Sequence, residues 1–384
     1  MKNYLNQLDQ TTRTFLKNIG READRSKLRA YLVGGPVRDI LFNKKNLDLD
    51  IVIEGDAIEF ARHLAKLLKA NVKIYREFGT ATLLFPHRHV DLVTARREDY
   101  PHRGALPVVM PGTLRDDLGR RDFTINAMAI ALNQGNLGML IDPFAGQEDL
   151  KAKKIRVLHD QSFADDPTRL LRAVRFEQRL GFHVEPKTLG FWKMAMKQKF
   201  YHNVKPPRYF AEFKKILGEK IPLKPLKRLY QLKGLAFFKI ALNPDWKALE
   251  NVQASMNQTN GKGLRVQPGL IYLIALLGNV SDASKEKISQ RFQLTREERT
   301  SLLQSTKALK ALQCISQKSC SPSRVYRLLG GFSLATILFL RGKASSRSAR
   351  QRISRFLTQD QHVKLNINGT QLKLLGFASS RRMG

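Results

Sequence analysis

Val33-Gly-Gly-Pro-Val-Arg-Asp39, followed shortly by Leu47-Asp-Leu-Asp-Ile51, is the stretch on which the reading of this chain turns. Residues 30–33 form a short apolar strand that breaks into two glycines and a proline, which predicts a strand-to-helix corner. Over 47–53 the sequence alternates as Leu-Asp-Leu-Asp-Ile-Val-Ile, a period of two, so a strand there carries Asp48 and Asp50 on one face. Two carboxylates held that close repel each other unless a cation sits between them. Mg²⁺ suits the position, because it takes hard oxygen ligands and shares its shell with substrate phosphates. Asp-x-Asp by itself more often marks a solvated strand face than a metal site. The glycine corner beside it changes the weighing: backbone N–H groups at Gly34 and Gly35 can approach phosphate oxygens, and Arg38 can reach the same anion. Asp91, in a later strand over 89–93, supplies a third carboxylate if that strand pairs beside the first. Such a group suits two-metal phosphoryl chemistry.

Outward from this centre, the first 150 residues read as mixed α/β. A helix is expected over 57–68 and further strands over 72–74, 81–85 and 90–93. The segment 101–112 holds three prolines and two glycines and reads as a loop. From about Lys151 the pattern turns helical, with helices expected over 167–182, 186–199 and 206–217, each opening near a proline. Beyond Pro222, basic and apolar residues alternate in helix-length blocks, the most basic being 341–355. Three domains follow: 1–150 a catalytic head, 151–220 a helical neck, and 221–384 a basic helical body and tail.

Charge narrows the partner. Lys and Arg total 67 against 33 Asp and Glu, a net +34, and a chain this basic is expected to face a polyanion, nucleic acid first. The two cysteines, Cys314 and Cys320, have the spacing of neither a zinc knuckle nor a redox pair and suit a reducing cytoplasm. Residues 1–21 lack the apolar core of a signal peptide. The longest apolar runs, 269–280 and 332–340, fall short of the roughly 20 residues that span a bilayer and read as buried helices. No Gly-x-x-x-x-Gly-Lys-Ser/Thr occurs, which sets a P-loop enzyme aside.

Further motifs stand in order after the first two: Arg120-Arg-Asp-Phe-Thr-Ile-Asn-Ala-Met-Ala129, Asp142-Pro-Phe-Ala-Gly146 and Asp165-Asp-Pro-Thr-Arg-Leu-Leu-Arg-Ala-Val-Arg-Phe176. With these five the chain resembles the class II tRNA nucleotidyltransferase and bacterial poly(A) polymerase family, within the polymerase-β-like nucleotidyltransferases, over roughly residues 30–215. Residues 365–376 resemble a C-terminal element of bacterial members. The resemblance implies an α+β fold, a mixed-sheet head followed by an all-helical neck, body and tail. It also implies template-independent addition of C or A from CTP or ATP to the 3′ end of tRNA, with Mg²⁺ bound by Asp48 and Asp50. By the same resemblance Gly35 and Arg38 meet the phosphates and ribose, and Arg121, Asp166, Arg169, Arg172 and Arg175 contact the nucleotide. One departure is visible, since the family usually reads Glu-Asp where this chain has Asp165-Asp166.

Side-chain chemistry supports that assignment. Cytosine and adenine each present an amino donor beside a ring-nitrogen acceptor, which a carboxylate and an arginine match. Uracil and guanine would leave buried groups unpaired, at about 1–3 kcal/mol each. If Asp166 and Arg169 share a helix, three residues separate them by about 60° and they converge on one base edge. Arg172 then turns toward sugar or phosphate, and Arg175 points away in an indirect role. Asp166, before Pro167, also fits a helix N-cap. Within the same chemistry the alternative is a poly(A) polymerase adding A tails to RNA; from another class it is a non-catalytic RNA-binding protein on the same fold.

Overall fold

The computed structural model describes residues 2–43, 48–259, 267–363 and 369–376. Leu47 of the aspartate motif and 365–368 of the C-terminal element lie outside them. The chain divides into two compact units, one of Met1–Phe213 with Lys227–Phe237, the other of Lys214–Leu226 with Phe238–Gly384.

The described residues of the first unit hold eleven strands: β1 Arg29–Val33, β2 Leu49–Glu54, β3 Asn71–Tyr75, β4 Thr80–Phe85, β5 Arg88–Thr94, β6 Arg96–Asp99, β7 Val108–Pro111, β8 Ala129–Ala131, β9 Leu140–Ile141, and a short parallel pair, β10 Lys154–Ile155 and β11 His183–Val184. Seven form one mixed sheet in the order β3-β4-β5-β2-β1-β8-β9. Its β2 and β5 run parallel, and their register sets Asp50 opposite Asp91. Alternation divides the side chains between two cores. Leu32 of β1, Leu49, Ile51 and Ile53 of β2, and Val90 and Leu92 of β5 enter the larger one, with Leu16 and Ile19 of helix Gln10–Arg25 and Phe60 and Leu64 of helix Ala57–Leu68. The latter helix is set by its N-cap, since Asp56 accepts from the N–H groups of Ile58 and Glu59. The opposite face carries a smaller cluster that includes Tyr31, Val33, Val52, Ala129 and Ala131. By alternation Asp50 and Asp91 belong to this second face.

Two expectations change on folding. Residues 101–112 are not wholly loop: β7 pairs antiparallel with β6, Arg96 opposite Pro111. The β-branched run Val108-Val109 favours extension, and Pro111 sits at the strand end, where its missing N–H breaks no ladder. Asp166 does not begin a helix. It is extended (φ −130°, ψ 92°) after a single turn at Ser162–Asp165, and the neck helix runs Arg169–Leu180 with Thr168 at its N-cap position. The residue before a proline is kept out of helical geometry, and from there the Asp166 carboxylate accepts from the Thr168 N–H just ahead of the helix.

The second unit is helical. Residues 270–277 of helix Pro268–Leu277 are all buried, as are Ile337, Leu338, Phe339 and Leu340 of helix Leu334–Lys343, so both apolar runs are core helices. Helix Arg296–Ile315 opens on a capping box between Thr295 and Glu298. The basic run 341–355 is partly used internally. Arg352 donates to the carbonyls of Ile315, Gln317 and Lys318 at 2.6, 2.6 and 2.9 Å, and Lys343 pairs with Asp245. Arg347 and Arg350 remain exposed. Among the described residues, no helix is long and apolar enough to cross a membrane.

Candidate active site

A cavity of about 840 Å³ opens in the first unit, on the smaller-cluster side of the sheet. Gly35, Arg38, Asp48, Asp50, Arg121, Asp166, Arg169 and Arg172 line it, while Asp91 and Arg175 are not part of its lining. All but two of the sequence-derived set are therefore gathered in one place.

At the sheet end, Asp48 is exposed and Asp50 half-buried. Burial pushes the Asp50 carboxyl up to about 6. Arg121 opposes that rise, and Asp91 and Asp48 add to it. Asp91 accepts a hydrogen bond from the Thr82 hydroxyl at 2.6 Å, so one of its oxygens is engaged. Among the described residues no three or more His, Cys, Asp or Glu side chains are grouped so as to hold a metal ion. The donor set is thus the Asp48–Asp50 pair, hard and anionic, with room beside it. This fits a cation such as Mg²⁺ that keeps waters and takes further oxygens from a substrate.

The glycine corner sits against the arginines. Gly34 has φ +74° and ψ −129°, a conformation open to glycine alone, and a Cβ there would stand 2.5 Å from an Nη of Arg121. Arg121 donates to Asp117 Oδ2 at 2.9 Å, and Arg120 to Asp117 Oδ1 at 2.6 Å. The Asp117 side chain is fully buried. Burial works to raise its pKa, but the two guanidiniums hold it below the ordinary carboxylate value. The Nε of Arg121 is buried and has no hydrogen-bond partner among the described residues. Gly34→Ala is expected to strain the corner by about 1–3 kcal/mol. Because the nearest obstacle is a side-chain end, Arg121 gives way, and a triphosphate titrated into the protein should bind about tenfold more weakly, read by calorimetry.

A second node lies under the neck helix. Arg38 donates to Asn126 Oδ1 at 2.6 Å, Asn126 donates to Asp122 Oδ1 at 2.9 Å, and Arg172 binds Asp122 Oδ2 through Nε (2.8 Å) and an Nη (2.5 Å). Burial would raise the Asp122 pKa, but Arg172 and Asn126 hold it below its usual value. The Phe176 ring lies 5.5, 5.6 and 5.3 Å from the guanidinium carbons of Arg38, Arg172 and Arg175, and packs edge-on against Phe123. Arg175 is thus directed to the ring and toward Glu212, 3.9 Å away.

Asp166 and Arg169 do not pair as one helical face. Arg169 is buried and donates to Ser162 Oγ and to the Arg120 carbonyl, both at 2.6 Å. Asp166 accepts from the N–H and hydroxyl of Thr168, and Arg208 lies 3.1 Å from the same oxygen. Reading the sequence assigned no role to Asp117, Asp122, Asn126 or Arg208. Asp117 had a local signal, three and four residues before the two arginines it holds. Asp122 stood within a quoted motif, but its partners are distant, and nothing in the sequence joins Arg208 to Asp166.

A family model described as the poly A polymerase head domain matches residues 30–156. An A-adding tRNA nucleotidyltransferase of Geobacter sulfurreducens is 34% identical over 391 residues, covering 98% of this chain and 44% of that protein. The chain therefore spans less than half the length of that relative. A CC-adding tRNA nucleotidyltransferase of Deinococcus radiodurans is 37% identical over 279 residues, covering 72% of this chain and 71% of that one. The solved structure of the Thermotoga maritima CCA-adding enzyme complexed with tRNA is similar at a TM-score of 0.81 and 33% identity, covering 99% of this chain and 90% of that one.

Proposed function

Because the chain belongs to the class II tRNA nucleotidyltransferase family, we propose that it adds A, C or both to the 3′ end of tRNA from ATP or CTP, releasing pyrophosphate. The observation that carries this reading is the single cavity that joins the Asp48–Asp50 pair to a wall of arginines and to Asp166. The pair would hold Mg²⁺, which when bound supplies charge neutralisation at the phosphates and a more acidic 3′-hydroxyl. Gly35, Arg38 and Arg121 receive the triphosphate, and Arg172 the sugar-phosphate side. Asp166 meets the amino edge of the base, with Arg169 beside it. Asp91 and Arg175 support this lining from behind. In domain terms, 1–150 performs the transfer, 151–220 selects the base, and 221–384 holds the acceptor RNA through exposed cations such as Arg347 and Arg350, with contacts that weaken steeply with salt. The reaction is placed in the cytoplasm, a setting that suits the free thiols of Cys314 and Cys320.

The A-adding relative aligns along nearly the whole chain and the CC-adding one along less of it, which favours the terminal A. The test offers purified protein tRNA lacking the last one, two or three nucleotides, with ATP or CTP singly. One A added to tRNA ending in CC is the expected product. Long A ladders on any RNA would instead indicate poly(A) synthesis, a reading favoured by the head-domain match. No incorporation under any condition would overturn the proposal.

A further inference from the structure

We infer that Arg208 is a positioning residue for base choice, one that fixes the Asp166 carboxylate so that a single oxygen faces the nucleotide. The inference rests on the reading that Asp166 meets the base.

Asp166 is not stiffened by a helix, since its backbone is extended and its side chain is two rotatable bonds long. What holds it is hydrogen bonding to one oxygen. Oδ1 accepts from the Thr168 N–H at 3.1 Å and the Thr168 hydroxyl at 2.7 Å, and an Nη of Arg208 stands 3.1 Å away. Among the described residues no donor is recorded on Oδ2. A carboxylate with one oxygen engaged by two hydrogen bonds and an ion-pair contact presents the other as a fixed acceptor, which is what an exocyclic amino group requires. Cytosine and adenine carry that group on the matching edge. The carbonyl of uracil or guanine would meet a bare anionic oxygen instead.

Thr168 alone would leave Asp166 a neutral clamp and an uncompensated charge. Arg208 supplies the charge, and its planar fork supplies direction. Its other Nη reaches toward the carbonyls of Gly104 and Ala105, 3.4 Å each, so the guanidinium is held at both ends. The anchoring stretch is itself tightly seated: Gly104 has φ +71°, its N–H donates to the Ala164 carbonyl at 3.0 Å, and a Cβ there would stand 2.9 Å from the Asn203 backbone. A lysine reproduces the charge but cannot make both contacts in one plane. Arg208 lines the cavity and is about one third exposed, so it is not needed merely to fill the core.

The experiment measures kcat/KM for ATP and CTP against UTP and GTP, in the wild type, Arg208→Met and Arg208→Lys. The expected result is a fall of about tenfold in the ratio of correct to incorrect nucleotide for Arg208→Met, with a smaller fall, about threefold, for Arg208→Lys. A purely structural loss lowers kcat for all four nucleotides together and leaves the ratio where it was. An unchanged ratio in the variants, beside a discriminating wild type, overturns the inference alone. If Arg208→Met does not fold, the lysine variant decides by the same ratio. A wild type that does not discriminate, or adds nothing, overturns both this inference and the reading of Asp166 beneath it.

Discussion

Asp50→Asn should give a protein that melts no lower than the wild type yet incorporates nucleotide on the order of 10³-fold more slowly. The two halves of that expectation share one cause. Asp50 is half-buried beside Asp48 and Asp91, and its pKa rises from 3.8 to about 6 on folding. A carboxyl whose pKa is raised stabilises the fold only while protonated. Its contribution is complete below about pH 4 and is lost as pH rises through about 6. At neutral pH the lost contribution is of order 1–3 kcal/mol, and asparagine escapes it. The difference in melting temperature, variant minus wild type, should therefore grow from pH 4 to pH 7 when divalent cations are absent. Added Mg²⁺ should raise the melting temperature of the wild type and leave the variant behind. Equal stabilisation of both proteins by Mg²⁺, or wild-type incorporation by the variant, would remove Asp50 from the proposed site.

Asp122→Ala should cost stability as well as activity. The carboxylate is buried, binds Arg172 through two donors, and steadies Arg38 through Asn126. Breaking a buried pair leaves the partner's charge uncompensated, at about 3–5 kcal/mol, and the partial exposure of Arg172 puts this case at the lower end. The melting midpoint should drop by roughly 6–12 °C. In a concentration series the nucleotide KM should rise too, because both guanidiniums lose their direction. A midpoint within 2 °C of the wild type (roughly 1 kcal/mol or less) would show that the node is not what orders this wall.

The asymmetry between these two acids shows what a sequence can carry. Asp50 was legible because its face is fixed by a local alternation that β2 preserves, and Asp48, one residue before that strand, reaches the same cavity. That Asp91 lies opposite Asp50 depends on a parallel pairing, and its hydrogen bond to Thr82 depends on the neighbouring strand. Asp122 and Arg208 act through partners 50 and 42 residues away, and no periodicity records such distances. Asp166 shows a subtler limit. Its neighbour Pro167 signals a helix start, yet the same proline forces the preceding residue out of helical geometry, so an expected helical face becomes an extended residue held by Thr168. In 101–112 the prolines and glycines outweighed the Val108-Val109 pair in the reading, and the pairing with β6 reversed the balance.

Phe176 carries one more implication. Three cationic groups crowd round a single ring that is rooted in the interior, each beside a carboxylate: Arg38 with Asp39, Arg172 with Asp122, and Arg175 with Glu212. A small polyvalent anion entering the hollow competes with those carboxylates for the same guanidiniums, whatever its identity. Phosphate, sulfate and pyrophosphate become rivals of any triphosphate offered to it, and the choice of assay buffer becomes a variable in every measurement made on this protein.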